Sequence, residues 1–219
     1  MIISHKYKYI FLKTTKTAGT SIEISLSRFC GLDDIITPIS FSDELIRKKL
    51  GIFPKNYENY TCPLKLEEDN SQLKANFWNH IKAKEIKDRI GTKIWNSYFK
   101  FCFVRNPWDR AISQYYWVKR KIDQPESLDK FIKRRKLNRN FNIYTIDGKI
   151  ALDYIGKYES LIEDLSLICD KLGIPFDKWL PKAKANFRQD RRHYSEILTK
   201  EQIEFIREKC IKEIELFGY

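Results

Sequence analysis

Two short segments of the chain place anion-binding residue types directly after apolar stretches that have the composition of buried strands. The first is Lys16–Ser21 (KTAGTS), in which a lysine precedes small residues and two hydroxyl groups. Small residues let backbone N–H groups approach an anion, a following helix N-terminus adds partial positive charge, and a lysine adds a full one. The segment therefore predicts an anion-binding loop made of Lys16, Thr17, Ala18, Gly19, Thr20 and Ser21.

This loop does not have the Walker pattern GxxxxGK[ST]. Gly19 is its one glycine, the lysine precedes that glycine, and no acidic residue ends a later predicted strand as a Walker B acid would. These departures argue against an ATP-dependent kinase, which is the alternative enzyme class. An ordinary helix start is also consistent with the residues, because Thr20 to Glu23 has the form of a capping box.

The second segment is Phe103–Ser113 (FVRNPWDRAIS). Arg105 follows a strand that is apolar on both faces, and ligand crevices of parallel sheets lie at such strand ends. Ser113 falls about two turns into the next helix, so a guanidinium and a hydroxyl could share one phosphate. An arginine at a strand end is as often part of a surface salt bridge, but two such segments together indicate an anion site.

The elements that must position these residues are strands that feed helices. Tyr7–Thr14 and Phe99–Arg105 are predicted strands, and Asp147-Gly148 is a hairpin signal. Helices are predicted at Phe41–Leu50, at Lys82–Ile90 with Gly91 at its end, after a capping box at Ser160–Glu163 as far as Gly173, and after a capping box at Thr199–Gln202. Phe53 to about Ala75 has no period and is predicted to be a long surface excursion. Together they predict one α/β domain over residues 1–219.

Composition narrows the classes of protein. The 219 residues carry a net charge of +12, which suggests a polyanionic partner such as a phosphate-bearing cofactor, an acidic glycan or nucleic acid. No stretch approaches the ~18 apolar residues of a membrane span. Five scattered cysteines without a CxxC pair argue against a metal finger or a disulfide framework, and favour a reducing, cytoplasmic setting. The basic runs contain few aromatic residues, which disfavours a nucleic-acid-binding module.

The two anion-binding segments resemble those of a known family. Lys16–Ser21 is similar to the 5′-phosphosulfate loop, and Phe103–Ser113 to the 3′-phosphate motif, of sulfotransferases that use 3′-phosphoadenosine 5′-phosphosulfate (PAPS). The likeness is strongest to soluble, bacterial-type carbohydrate sulfotransferases, and extends to Asn79–Ala83, Ile155–Ser160, Lys182–Tyr194 and Glu213–Tyr219. It implies a P-loop-like three-layer α/β/α fold with a central parallel sheet, PAPS as the donor, no metal, and a hydroxyl of a carbohydrate or other glycoconjugate as the acceptor.

The resemblance also implies roles for single residues. Lys16 would stabilise the leaving phosphate, while the rest of its loop cradles the phosphosulfate. Arg105 and Ser113 would bind the 3′-phosphate, and Arg188 and Arg192 would belong to a lid over the donor. These motifs leave open the identity of the acceptor, whether it is acidic, and its sulfated position, and they also allow an alcohol, phenol or lipid acceptor.

A hydroxyl acceptor needs a base near neutral pH, and histidine is suited to that role. His80 is the candidate, because it precedes a predicted helix where family members place a histidine; a helix-cap or packing role is the alternative. Glu23 is the rival base, since some glycan sulfotransferases use a glutamate soon after the loop. His5 is expected to be structural, and His193 to orient a basic loop or touch substrate.

The sequence departs from the family pattern at two points of interest. Thr15 stands where a proline usually precedes the loop lysine, which is expected to loosen the loop slightly. Asn186 stands where bacterial relatives often have glycine.

Overall fold

A mixed five-stranded sheet with helices on both faces forms the centre of the computed structural model, which describes residues 1–58, 76–120, 122–183 and 187–219. The strands are β1 (Ile2–Ser4), β2 (Tyr9–Phe11), β3 (Ile35–Ile36), β4 (Phe99–Val104), β5 (Thr145–Ile146), β6 (Lys149–Ile150) and β7 (Tyr154–Lys157). The helices are α1 (Gly19–Ser27), α2 (Phe41–Lys49), α3 (Ala83–Ser97), α4 (Pro107–Lys119), α5 (Leu128–Arg134), α6 (Phe141–Tyr144), α7 (Leu161–Leu172), α8 (Tyr194–Ile197) and α9 (Lys200–Phe217), with 3-10 turns at Leu137–Asn140 and Tyr158–Ser160.

The strand order in the main sheet is β3-β1-β2-β4-β7. β4 is central and pairs in parallel with β2 and β7, whereas β1 runs antiparallel to both β2 and β3. The predicted three-layer α/β fold is confirmed, with a parallel core. The antiparallel edge was not anticipated, because β1 and β3 are three and two residues long and too short to give a sequence signal.

Side chains of β4 alternate between two hydrophobic layers. Phe101 and Phe103 pack on one face against α1 and α7, while Cys102 and Val104 pack on the other face against α3 and α6. Each of these four side chains is essentially inaccessible to solvent, and burial of a large apolar side chain contributes about 1.5–3 kcal/mol. This packing explains why the sequence of β4 is apolar on both faces, and it fixes the strand end from which Arg105 emerges.

A third cluster joins α4, α5 and α9 beside the sheet. Within it, Arg110 of α4 pairs with Glu213 of α9 through N–O distances of 2.5 and 2.8 Å, and Tyr144 donates to the same carboxylate at 3.0 Å. Arg110 and Glu213 are both buried, so the pair ties the start of α4 to the last helix.

The predicted hairpin at Asp147-Gly148 and the Thr199–Gln202 capping box of α9 are both present. The capping box predicted at Ser160 is wrong, because the Ser160 hydroxyl donates to Asp164 at 3.0 Å and no side chain caps α7. The local sequence pattern does not show that the Ser160 hydroxyl donates to Asp164, one turn further on, in place of capping the helix.

The helix predicted to end at Gly91 is present, and the helical backbone is interrupted at Gly91, which has φ 79° and ψ 156°. A second helical segment follows across this kink and completes α3 as far as Ser97, and its apolar residues Ile94 and Trp95 are buried in the core. The surface excursion predicted for Phe53–Ala75 lies largely outside the described residues, which stop at 58 and resume at 76.

The cysteines in the described part of the chain are free thiols, namely Cys30, Cys102, Cys169 and Cys210. No helix within it has the length and apolar character needed to cross a membrane. Its histidine, cysteine and acidic side chains form no group of three or more that could hold a metal ion. The single domain over residues 1–219 stays a prediction.

Candidate active site

A cleft of about 990 Å³ opens where the carboxyl ends of β2, β4 and β7 meet. Cofactor and substrate sites usually have volumes of about 300–1,000 Å³ and often lie at this edge of a parallel sheet. The cleft is lined by most of the residues predicted from sequence: Lys16, Ala18, Gly19, Thr20, Ser21, His80, Arg105, Ser113, Arg188 and Arg192.

The loop between β2 and α1 is fastened to the central strand. The Thr14 hydroxyl donates to the carbonyl of Phe103 and lies 2.8 Å from the hydroxyl of Thr17. Thr17 is buried and its side chain faces this support, so its contribution to an anion would come from the backbone N–H group. These contacts attach the loop to β4, and the backbone of the loop lies toward the cleft.

Two residues of the loop have left-handed backbone conformations. Lys16 has φ 63° and Ala18 has φ 58°, a region that non-glycine residues seldom adopt and that costs about 1–3 kcal/mol. Ala18 is the N-cap of α1, and its methyl side chain makes no capping hydrogen bond. The first N–H groups of a helix have no partner within the helix, so α1 presents donors and partial positive charge to the cleft.

Gly19 is required by close packing. A Cβ at this position would lie 2.8 Å from Cγ of Lys13 and 3.4 Å from the carbonyl oxygen of Thr14. Any side chain would have to displace that of Lys13, which pairs with Glu23. The one glycine of the KTAGTS segment thus leaves room for Lys13 beside the start of α1.

Arg105 joins the two anion-binding segments. It is only 7% exposed, and it donates to the carbonyl of Lys16 at 3.2 Å and to Asp109 at 3.0 Å. Its guanidinium carbon lies 4.0 Å from the ring centroid of Tyr158, which follows β7. The loops after all three parallel strands therefore meet at this one side chain.

Asp109 is a site residue that the sequence reasoning missed. Its carboxylate accepts from both Arg105 and Arg188, and although burial alone would raise the pKa of Asp109, these two arginines lower it below its usual value. Two guanidinium groups and one carboxylate leave net positive charge at the cleft. The sequence did contain one indication of this contact, because Asp109 lies four residues after Arg105, a spacing at which opposite charges often pair.

Arg188, Arg192 and Ser113, which were predicted from the sequence to line the same part of the site, differ in their contacts. Arg188 also donates to the carbonyl of Arg192 at 2.9 Å, whereas the Arg192 guanidinium pairs with Asp190 at 2.7 Å. Ser113 is half-buried on α4 and lines the cleft. Arg105 and Arg188 are therefore brought together by Asp109, and Arg192 contributes mainly to the shape of the segment around Arg188.

An aromatic wall stands beside Lys16. The Lys16 ammonium lies 4.8 Å from the ring centroid of Trp117 on α4, and Phe187 packs edge-on against the same indole at 5.1 Å between centroids. Gln114, one turn before Trp117, also lines the cleft. The Arg120 guanidinium carbon also lies 3.1 Å from the Trp117 centroid, so this wall combines aromatic rings with cationic and amide groups.

The His80 ring is held in one tautomer. Its Nδ1 lies 2.8 Å from the carbonyl oxygen of Lys13, and because a carbonyl only accepts, Nδ1 carries the hydrogen and donates. Nε2 of the neutral ring is then the nitrogen without a proton. Burial of the ring, together with the positive charge of Lys13, lowers the pKa of His80 to about 4, so the ring is neutral at pH 7. His80 is not the cap of α3, whose N-cap is Lys82.

Glu23 has a different role from the predicted capping box. It is fully buried, and its carboxylate accepts from the Lys13 ammonium at 2.6 Å, the Met1 amino group at 2.8 Å and the Thr37 hydroxyl at 3.0 Å. Burial alone would raise its pKa, but the neighbouring cations, with Lys13 the strongest, lower it to about 2. Glu23 supports Lys13 from beneath and is absent from the residues seen to line the cleft.

The remaining histidines lie as expected. His5 contacts the Tyr98 hydroxyl at 2.7 Å, next to the amino end of β4. His193 lines the cleft and is the N-cap of α8, with Nδ1 2.7 Å from the Ser195 hydroxyl.

Comparisons with known proteins agree with this geometry. A family model described as "Sulfotransferase family" matches residues 1–143, which include both anion-binding segments and His80. An uncharacterized protein of Archaeoglobus fulgidus is 37% identical over 102 residues, which cover 43% of this chain and 84% of that protein. The crystal structure of mouse sulfotransferase SULT7A1 complexed with PAP has a similar fold, with a TM-score of 0.51 and 12% identity over 97% of this chain and 85% of that chain.

Proposed function

The chain belongs to the sulfotransferase family, and we propose that it transfers a sulfuryl group from PAPS to a hydroxyl group of a carbohydrate. One observation carries the proposal: Arg105 contacts the carbonyl of Lys16, so the two predicted anion sites lie side by side in a single cleft. A donor with phosphate on both the 3′ and the 5′ oxygen of its ribose needs such a pair of sites. The fold neighbour named above was solved with PAP, which is adenosine 3′,5′-bisphosphate, the product that PAPS would leave.

The donor's 5′ end fits the loop and the start of α1. N–H groups at an uncapped helix N-terminus and the ammonium of Lys16 supply the positive charge that a phosphosulfate needs. The 3′-phosphate fits Arg105, Ser113 and Arg188, since guanidinium groups bind phosphate through paired charge-assisted hydrogen bonds. Both groups of residues line the cleft.

PAPS would supply an activated sulfuryl group, and the residues of this chain would stabilise charge and accept a proton during its transfer. The acceptor oxygen forms a bond to sulfur while the bond from sulfur to the 5′-phosphate oxygen breaks. Negative charge then grows on that phosphate, where Lys16 and the α1 N–H groups stabilise it. The hydroxyl proton passes to Nε2 of His80, which the hydrogen bond to Lys13 leaves unprotonated.

A carbohydrate acceptor is supported by the character of the wall beside Lys16. Trp117 and Phe187 contribute aromatic rings, and Gln114, Asn79 and Ser40 add amide and hydroxyl groups along the same cleft. Sugars have apolar ring faces and many hydroxyls, so they suit an aromatic surface with polar groups around it. The carbohydrate-branch likeness of the two motifs points the same way.

A thermal-shift comparison tests donor binding without knowledge of the acceptor. PAP at ~100 times its dissociation constant adds about 2.7 kcal/mol, or about 5–10 °C in Tm for a chain of this length. We expect PAP to raise Tm, and AMP to raise it much less. A shift with ATP and Mg²⁺ and none with PAP would overturn the proposal and favour a kinase.

A further inference from the structure

We propose that Asn140 is a positioning residue for the donor-binding loop, and that it acts through Thr15. The inference rests on the proposed function, because it assigns Asn140 to the binding of the donor's 5′ end. Asn140 lies 125 residues from Thr15 in the sequence, and neither motif contains it.

The Asn140 amide engages every polar group of Thr15. Its Oδ1 accepts from the Thr15 N–H at 3.0 Å and from the Thr15 hydroxyl at 2.6 Å, and its Nδ2 donates to the Thr15 carbonyl at 3.0 Å. An amide side chain both accepts and donates, which this arrangement needs. Asn140 is 1% exposed, so water does not compete for these bonds.

These bonds complete a set of anchors on three consecutive loop residues. Thr14 is fixed to β4 through the carbonyl of Phe103, and the carbonyl of Lys16 is fixed by Arg105. Thr15 lies between them and is fixed by Asn140. The loop is therefore not loosened at Thr15, contrary to the expectation from the missing proline.

The bond to the Thr15 carbonyl also orients the next N–H group. The peptide between Thr15 and Lys16 is trans, so the Lys16 N–H points opposite to the Thr15 carbonyl. Nδ2 of Asn140 holds that carbonyl, and it thereby turns the Lys16 N–H away from Asn140. This peptide directly precedes Lys16, whose φ of 63° needs support from its surroundings.

Asn140 is itself braced by the last helix. It ends the 3-10 turn Leu137–Asn140, and the carbonyl of Leu137 accepts from Arg110 at 2.9 Å. Arg110 is the partner of Glu213 on α9. The closing segment Glu213–Tyr219, for which the sequence offered a likeness but no role, thus supports the loop from a distance.

The test compares two ligands that differ only at the 5′ end. Affinities for PAP and for adenosine 3′-monophosphate (3′-AMP) are measured by calorimetry, and their ratio reports the contribution of the 5′-phosphate. Asn140→Ala is expected to weaken PAP about tenfold while 3′-AMP changes less than about twofold, which corresponds to about 1.4 kcal/mol lost at one end of the ligand. A residue with a merely structural role would weaken both ligands alike.

Milder variants keep the test valid if Asn140→Ala does not fold. Thr15→Val removes one of the three bonds and is expected to lower the PAP to 3′-AMP ratio about threefold. Thr15→Ser keeps all three and should restore the wild-type ratio. Asn142→Ala is the matched control, because Asn142 is an exposed asparagine two positions away.

The outcomes separate the inference from the proposed function. Wild-type protein that binds neither ligand would defeat the donor proposal itself. Wild-type preference for PAP that persists in Asn140→Ala and in Thr15→Val would overturn the role of Asn140. Equal weakening of both ligands would also overturn it.

Discussion

The loop that follows β2 and the loop that follows β4 have the same strand-to-helix form, but the helices that follow them begin in different ways. The N-cap of α1 is Ala18, which has a left-handed backbone and makes no side-chain capping bond. α4 is capped by Asn106, whose side-chain oxygen accepts from the N–H groups of Trp108 at 3.1 Å and Asp109 at 3.2 Å. Two of the first donors of α4 are thus used within the protein.

This difference decides which atoms can bind a ligand. At α1 the helix terminus itself faces the cleft, so the loop after β2 (the first region) would bind a ligand through backbone N–H groups and needs small residues around them. At α4 the terminus is satisfied, so the loop after β4 (the second region) would bind through the side chains of Arg105 and its neighbours. We infer that the 5′ end of the donor is bound mainly by backbone and the 3′ end mainly by side chains.

The largest expected effect separates chemistry from both regions. His80→Ala removes the proposed base and should lower kcat about 10²–10⁴-fold, because general base catalysis contributes about that much. PAP affinity should stay within about twofold of wild type, since neither anion-binding segment contains His80. A variant that loses PAP affinity and keeps its turnover would remove His80 from the chemistry.

The pH profile sharpens the same point. Burial and Lys13 lower the pKa of His80 to about 4, and a base works only while it is unprotonated. We expect kcat/KM to be constant from pH 8 to about 5 and to fall at lower pH as the ring is protonated. An inflection near the ordinary histidine value of 6.5 would contradict the buried setting of the ring.

A smaller effect is expected from Gly19→Ala, which should weaken ligand binding by the loop after β2. Gly19→Ala places a Cβ 2.8 Å from Cγ of Lys13, and overpacking of this kind costs about 1–3 kcal/mol. We expect a loss of PAP affinity of about tenfold, with 3′-AMP binding much less affected. Gly31→Ala is the control, because its Cβ would meet no atom closer than 3.5 Å. Normal PAP binding by Gly19→Ala would show that the backbone of this loop does not bind the ligand.

The smallest effect on binding is expected at the cap of the second region. Asn106→Ala removes a helix cap, which costs about 0.5–2 kcal/mol of stability and lowers Tm by a few degrees. Because Asn106 shields the α4 terminus from ligand, PAP affinity should not fall. A large loss of PAP affinity in a folded Asn106→Ala variant would show that the two regions are not bound as differently as we infer.

Local pattern was enough to predict the two strand-to-helix junctions. The strands β2 and β4 carry continuous apolar stretches. The residues after β2 combine a lysine, a glycine and hydroxyl groups, and an arginine follows β4, and both combinations indicate anion binding. The cleft could also be placed, because the carboxyl ends of parallel strands share one edge of a sheet. His80 was predicted from its residue type, its position before a helix and the resemblance to family members that place a histidine there, and its role as the base stays a prediction.

Features that depend on distant residues could not be predicted. Glu23 fits a capping box by its spacing, and only the folded chain brings Lys13, Met1 and Thr37 to its carboxylate. The bridge from Asp109 to Arg188 spans 79 residues. In each case the partner is selected by tertiary packing, which leaves no periodic signal in the sequence.

The central claim is that the two segments bind the 5′ and the 3′ phosphate of one ligand, and four proteins with three ligands test it directly. Affinities of wild type, Lys16→Ala and Arg105→Ala are measured for PAP, AMP and 3′-AMP, with Lys119→Ala on the exposed end of α4 as the control. We predict that Lys16→Ala loses about tenfold of the preference for PAP over 3′-AMP, and that Arg105→Ala loses about tenfold of the preference for PAP over AMP. Loss of the same preference in both variants, or of neither, would contradict the account.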